Sequence, residues 1–279
     1  MESNAVESLA VLAHPQRLAL FRLLMRRYPD AVPAGEIAGM LEVRANTLSA
    51  YLSALRQAGL IAQLRQGRSL LYRADMERAG GLLSYLIEDC CRSRPALRPA
   101  QLDPTAARGF AMTRRPYNVL FICTGNSARS IFAEAILRDI GGERFRAFSA
   151  GTSPRSELNP MALQVLEANG HDTASLRAKT VEEFRGAEAP ALDFVFTVCD
   201  RAANEECPAW PGQPISGHWG QPDPVKATGT GPERQLAFHQ VYGALRRRIE
   251  LFTTLDFAAL DRIAIQRAVD GLTTGKDPQ

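Results

Sequence analysis

The eight residues Cys123-Thr-Gly-Asn-Ser-Ala-Arg129-Ser130 constrain this chain more than any other stretch. They follow a short apolar run, Val119-Leu120-Phe121-Ile122, and precede a helical pattern, Ile131-Phe-Ala-Glu-Ala-Ile-Leu137. Such a run predicts a strand that delivers a cysteine into a tight loop opening a helix. In that geometry the N–H groups of Thr124, Gly125, Asn126, Ser127, Ala128, Arg129 and Ser130 converge on one point, and the helix dipole adds positive potential. The pocket suits a tetrahedral oxyanion, and its field is expected to favour the thiolate of Cys123, the form that attacks. Arg129 offers a planar fork to two oxygens of the same anion. Gly125 and Asn126 suit positive φ, and Asn126 or Ser130 can hold the loop or the sulfur.

The spacing alone is cheap. Thirty of 279 residues are arginine, so a cysteine meets an arginine six residues on by chance roughly one time in nine. The other cysteines, Cys90, Cys91, Cys199 and Cys207, have Ala96, Leu97, Glu205 and Gln213 at that offset. Only Cys123 combines the arginine with a strand–loop–helix context, and the context makes the motif.

The length suits two domains, and 46% apolar with 23% charged residues is the balance of a soluble globular protein. No apolar run approaches a membrane span, and Met1-Glu2-Ser3 does not read as a signal peptide, so a cytoplasmic protein with no membrane partner is expected. Five cysteines, an odd number near presumed sites, suit reduced and reactive thiols. Charge is uneven. Residues 1–95 hold 12 Arg against 9 acidic residues, residues 96–116 four Arg against Asp103, and the remainder 17 basic against 20 acidic residues. Only the basic first part is expected to meet nucleic acid.

Three parts follow: residues 1–95, a Pro/Arg-rich linker at 96–116, and residues 117–279. The first part is mainly helical, with helices at Val6–Ala13, Pro15–Arg27 (Leu18, Phe21, Leu24 and Met25 inward), Pro33–Leu41 and Ala45–Ala58 (Leu48, Leu52 and Leu55 inward). Two short strands around Gln66-Gly67 and a helix from Met76 to Cys91 complete a winged helix-turn-helix. Leu12-Ala-His-Pro-Gln-Arg-Leu-Ala-Leu20, Leu48-Ser-Ala-Tyr-Leu-Ser-Ala-Leu-Arg-Gln-Ala-Gly-Leu60 and Arg65-Gln-Gly-Arg68…Tyr72 closely resemble the ArsR/SmtB family of dimeric repressors. The resemblance implies a homodimer on operator DNA, with Asn46, Thr47, Ser49 and Tyr51 in the major groove and Arg56, Arg65 and Arg68 at phosphate or the minor groove. It also makes Cys90-Cys91 a candidate arsenite sensor, although the third thiol of that branch is missing, with Leu97 and Arg98 where it would fall.

In the last part strands and helices alternate, predicting an α/β domain with a parallel sheet and the reactive loop after its first strand. The loop, Phe148-Ser-Ala-Gly-Thr152, Asn159-Pro160, Phe196-Thr-Val-Cys-Asp200, Cys207-Pro208 and His218-Trp-Gly-Gln-Pro-Asp-Pro224 resemble the low-molecular-weight tyrosine phosphatase superfamily, more closely its arsenate reductase branch. The resemblance implies Asp223 as general acid. It also implies a cascade in which Cys123 attacks arsenate, Cys199 releases arsenite by forming a disulfide with Cys123, and Cys207 carries the disulfide outward. The segment between Cys199 and Cys207 is polar and is expected to be a mobile loop.

No bound cofactor and no metal are expected, since His14, His171, His218 and His239 lack ligand spacing. The implied reductant is an external thiol, thioredoxin or glutathione/glutaredoxin. The implied function is a bifunctional arsenate reductase and arsenic-responsive repressor, for which phosphate is a substrate analogue. Two alternatives are a tyrosine phosphatase fused to a regulator and a non-enzymatic oxyanion sensor controlling DNA binding. Against the phosphatase stands Val225, where tyrosine phosphatases place an aromatic residue that stacks on the substrate ring.

Overall fold

The computed structural model describes residues 2–92, 94, 115–186, 188–205, 210–257, 259–260 and 262–272. The chain divides into two compact units, Met1–Gly109 and Phe110–Gln279. Most of the predicted linker lies outside the described residues.

In the first unit, helix α1 spans Glu2–Leu12 and α2 Pro15–Arg27, with Pro15 at the first helical position, where its missing N–H costs nothing. A two-residue strand β1, Val32–Pro33, leads into α3, Ala34–Leu41, and α4, Ala45–Gln57. Strands β2, Ile61–Gln66, and β3, Ser69–Ala74, form a hairpin, paired from Ile61 with Ala74 to Gln66 with Ser69. Gly67 takes φ +60° at the first central position of its two-residue turn, which a side chain would resist. The sheet order is β1-β3-β2. Strand β1, two residues long, is too short for any periodicity to show in the sequence. Helix α5, Met76–Ser84, capped by the Asp75 carboxylate on the Arg78 N–H, continues as a π-helical turn over Tyr85–Cys90.

The core of this unit contains Leu48, Leu52 and Leu55 of α4, as their spacing predicts. On α2 Leu24 is buried as predicted, together with Leu20, Leu23 and Arg27, and Phe21 and Met25 pack against the core. Leu18 is exposed and Phe21 and Met25 are half-buried. Arg27 joins this face, its guanidinium taken inside to meet Glu36 of α3 at 2.6 Å. A basic residue thus occupies a row that sequence patterning assigns to solvent.

The second unit is a four-stranded, wholly parallel sheet in the order β5-β4-β6-β7. Its strands are β4, Tyr117–Cys123, β5, Phe145–Gly151, β6, Phe194–Thr197, and β7, Ile215–His218. Helix α6 spans Arg129–Ile140, α7 Pro160–Ala168, α8 Asp200–Asn204, α9 Gly231–Thr254 and α10 Arg262–Gly271. Six of the seven β4 residues are buried, because the strand is central and covered on both faces; hence its unbroken apolar run. Its neighbours β5 and β6 follow it in sequence but flank it on opposite sides. The chain therefore reverses direction across the sheet at β4, and the crevice at its carboxyl end is where such sheets bind ligands. An aromatic cluster of Phe121, Phe194, Phe196, Trp219, Phe252 and Phe257 fills one side, with Phe196 and Trp219 stacked at 3.9 Å. At the amino end of β4, Arg115 makes a two-pronged contact with Asp193 at 2.7 and 3.0 Å, and Asp193 accepts the Asn118 N–H.

One predicted element changes: residues 200–204 are helical, whereas a mobile loop was expected, because Ala202 and Ala203 bury their side chains. Leu255 leaves α9 in extended geometry before α10. Strand β7 had been missed, its four residues carrying too little apolar signal.

On α10, Gln266 donates to Ser216 O at 2.7 Å and to Asp270 at 2.9 Å. Burial pushes the Asp270 carboxyl up to about 6, against the pull of Gln266. A raised carboxyl favours the fold while it is protonated, so its contribution is complete below the ordinary carboxylate value and is lost as pH rises through 6. Asp270→Asn should therefore raise the thermal unfolding midpoint at pH 8 and leave it nearly unchanged at pH 4, as measured by circular dichroism.

Candidate active site

The reactive loop sits between the end of β4 and the start of α6, and its shape is imposed from the segment that follows β5. The N–H groups of Thr152, Ser153, Arg155 and Asn159 donate to the carbonyls of Cys123, Thr124, Gly125 and Ser127 at 2.9–3.1 Å. The groups that would repel an anion are thereby turned to a neighbour. Asn126 adopts φ +42°, a left-handed conformation that asparagine tolerates better than most residues. The Asn126 N–H donates to Cys123 Sγ at 3.2 Å, and Ser130 Oγ lies 2.9 Å from the same sulfur. Asn126, Ser127, Ala128 and Ser130 are buried, and Thr124 and Gly125 are half-buried.

Arg129 opens α6. One guanidinium nitrogen donates to Gln221 O at 3.1 Å and the other meets Asp223 Oδ2 at 3.2 Å. The predicted nucleophile, anion clamp and general acid are therefore brought together, with Asp223 partly exposed at the rim and its other oxygen accepting the Val225 N–H. Cys199 caps α8 through its sulfur, which accepts the Ala202 N–H at 3.4 Å and lies 3.5 Å from Thr124 Oγ1. Strand pairing explains its nearness, since Ile122 aligns with Thr197, Cys123 is the last residue of β4 and Cys199 lies two residues past the end of β6. Cys207 lies outside the described residues.

The expectation of a favoured thiolate is corrected. Burial pushes the Cys123 thiol up, and the neighbouring Cys199 acts in the same direction. Hydrogen bonds from Ser130 and the charge of Arg129 pull it down without prevailing. A sulfur that is 2% exposed must lose its hydration before it ionises.

Three further residues belong to this site, although the sequence analysis gave them no role. Asn126 Nδ2 donates to Ser130 Oγ and to Ser149 Oγ, both at 2.8 Å, and its Oδ1 accepts the Lys179 N–H at 2.7 Å. Ser149 donates to Glu134, which pairs with Lys179 Nζ at 2.9 Å. A signal was present: Glu134 is a charge in the middle of the otherwise apolar Ile131–Leu137 run, and Lys179 is one of only three lysines.

In the first unit Asn46, Thr47, Ser49, Arg56, Arg65 and Arg68 are exposed. Tyr51 is half-buried and packs on the core, its ring centroid 5.1 Å from that of His14, because its position on α4 borders the Leu48/Leu52/Leu55 face. Cys90 is exposed and Cys91 half-buried, both as free thiols. Leu97 and Arg98 lie outside the described residues. No described helix is long and apolar enough to cross a membrane.

Residues 118–262 match the low molecular weight phosphotyrosine protein phosphatase family. The chain belongs to that family. Residues 12–63 match a helix-turn-helix domain, so the phosphatase-family unit is fused to a helix-turn-helix unit. Three curated relatives are arsenate reductases, each aligned over 134 residues that make up 48% of this chain and 93% of the relative. They come from Halalkalibacterium halodurans (34% identical), Oceanobacillus iheyensis (35%) and Bacillus subtilis (32%). This phosphatase-family member thus joins a unit similar to arsenate reductases with one similar to DNA-binding domains.

The Ser130 contact gives a direct test of how the sulfur is activated. A hydrogen bond to a charged group is worth about 1.5–3 kcal/mol, so Ser130→Ala should move the midpoint of Cys123 alkylation by iodoacetamide upward by about one to two pH units. Peptide-resolved mass spectrometry across a pH series reads this shift.

Proposed function

We propose that the protein is a thiol-dependent arsenate reductase joined to an arsenic-responsive DNA-binding repressor. The observation that carries the reductase is the second buried thiol, Cys199, whose sulfur lies against the Thr124 hydroxyl of the oxyanion loop. A phosphatase has no use for it, whereas a reductase needs it. The names of the curated relatives support the same assignment.

The reaction follows from the roles of the groups. The Cys123 thiolate attacks arsenic while Arg129 and the loop N–H groups hold the arsenate oxygens, and Asp223 protonates the oxygen that leaves as water. Cys199 then attacks the Cys123 sulfur. An S–S bond forms as the S–As bond breaks, and its electron pair reduces As(V) to arsenite. An external dithiol, reached through Cys207, restores both thiols. Thioredoxin or a glutathione/glutaredoxin couple fits that role in a reducing cytoplasm. Val225, exposed beside Asp223, offers no aromatic wall for a phenyl ring, which favours a small bare oxyanion.

In the same proposal the first unit dimerises and reads an operator through Asn46, Thr47, Ser49 and Tyr51, with Arg56, Arg65 and Arg68 on the backbone. Arsenite held by Cys90 and Cys91 would weaken that contact.

The deciding experiment supplies arsenate with thioredoxin or glutaredoxin and measures arsenite. Wild type should turn over, while Cys123→Ser and Cys199→Ser should each reduce activity at least about a thousandfold. Hydrolysis of an aryl phosphate that needs Cys123 but not Cys199, with no arsenite formed, would make the protein a phosphatase. In parallel, operator affinity should fall on adding arsenite and stay constant in a Cys90→Ser/Cys91→Ser variant.

A further inference from the structure

We propose that the buried Glu134–Lys179 pair is a positioning couple that sets which way the Ser130 hydroxyl points, so that it donates to the Cys123 sulfur. The claim rests on Cys123 being the nucleophile, as proposed above. It follows from counting hydrogens along one chain of contacts.

Lys179 N–H donates to Asn126 Oδ1, so the amide nitrogen of Asn126 faces the two serines and supplies one hydrogen to each. Ser149, accepting from Asn126, must send its own hydrogen elsewhere; it goes to Glu134 Oε2 at 2.5 Å. Ser130, also accepting from Asn126, has its hydrogen left for the sulfur 2.9 Å away. Every bond has a single sense as long as Glu134 is a carboxylate, which only accepts. Glu134 and Lys179 are 8% and 7% exposed, and at such depth a carboxylate keeps its charge only with a partner. Lys179 is that partner, at 2.9 Å. Its main chain fixes one end of the relay and its ammonium the other. Without the ammonium Glu134 would be an uncompensated buried charge with nothing to hold it against Ser149, so the Ser149 hydrogen would lose its fixed acceptor and Asn126 would be held less firmly. The other groups that face Cys123 are Cys199 and Arg129, the latter already engaged by Asp223. None of them touches this relay.

The test is alkylation of Cys123 by iodoacetamide across a pH series in the full chain, with melting curves recorded on the same samples. Lys179→Met and Ser149→Ala should each lower the rate at pH 7 by about three- to tenfold, by moving the midpoint upward. The double variant should be no slower than the slower single one, because both lesions cut the same chain. If Lys179→Met does not fold, Ser149→Ala alone decides. Midpoints that stay at the wild-type value, with lower melting temperatures, would overturn the proposal and leave the pair a purely structural one; so would additive shifts. The readout needs no arsenate, so a shift observed in a protein that makes no arsenite would sink the reductase assignment and leave this one standing.

Discussion

Four main-chain hydrogen bonds between the segment 152–159 and the carbonyls of residues 123–127 hold the reactive loop in shape, and the site depends on them. They are available because β5 lies parallel to β4 and ends level with it, Gly151 opposite Cys123. Gly151 has no room for a side chain: a Cβ there would stand 2.7 Å from Thr124 O. The fold therefore works as a clamp. Sheet register brings two chain segments side by side, and backbone polarity sorts carbonyls from N–H groups around the anion position.

Within that clamp, opposing electrostatic demands meet at one sulfur. Water is excluded, which strengthens every charge interaction with a bound oxyanion and at the same time penalises the ion that must attack it. Arg129, Ser130 and the Asn126 N–H oppose the penalty, each from a different direction. The second thiol adds to the burden while Cys123 waits, yet it is indispensable to the reduction proposed here. A site with one cysteine would be easier to ionise and could not deliver two electrons.

Much of this was legible in the sequence. The loop motif, the apolar run before it and the α6 pattern placed Cys123, Arg129 and Ser130 correctly because strand, loop and helix are adjacent in the chain. Asp223 came from resemblance, and its contact with Arg129 spans 94 residues that no local pattern connects. Glu134, Ser149 and Lys179 were overlooked for a related reason. A buried polar residue looks like a surface one until its partner is known, and these partners lie 15 and 45 residues apart. Arg27 is of the same kind, a basic side chain buried against a carboxylate nine residues on. Short elements were the other weakness: β1 and β7 exist through pairing with neighbours, not through periodicity of their own.

The Arg115–Asp193 contact fixes the chain where it enters the catalytic unit, at the amino end of β4, while the nucleophile stands at the carboxyl end. Seven residues of extended backbone separate the two, roughly 20 Å. Attachment and chemistry thus occupy opposite ends of one rigid strut. Whatever precedes Arg115 thus joins this unit at a guanidinium–carboxylate pair, at the end of the strand away from the sulfur. An enzyme built this way can acquire a new amino-terminal domain without having its reaction centre rebuilt.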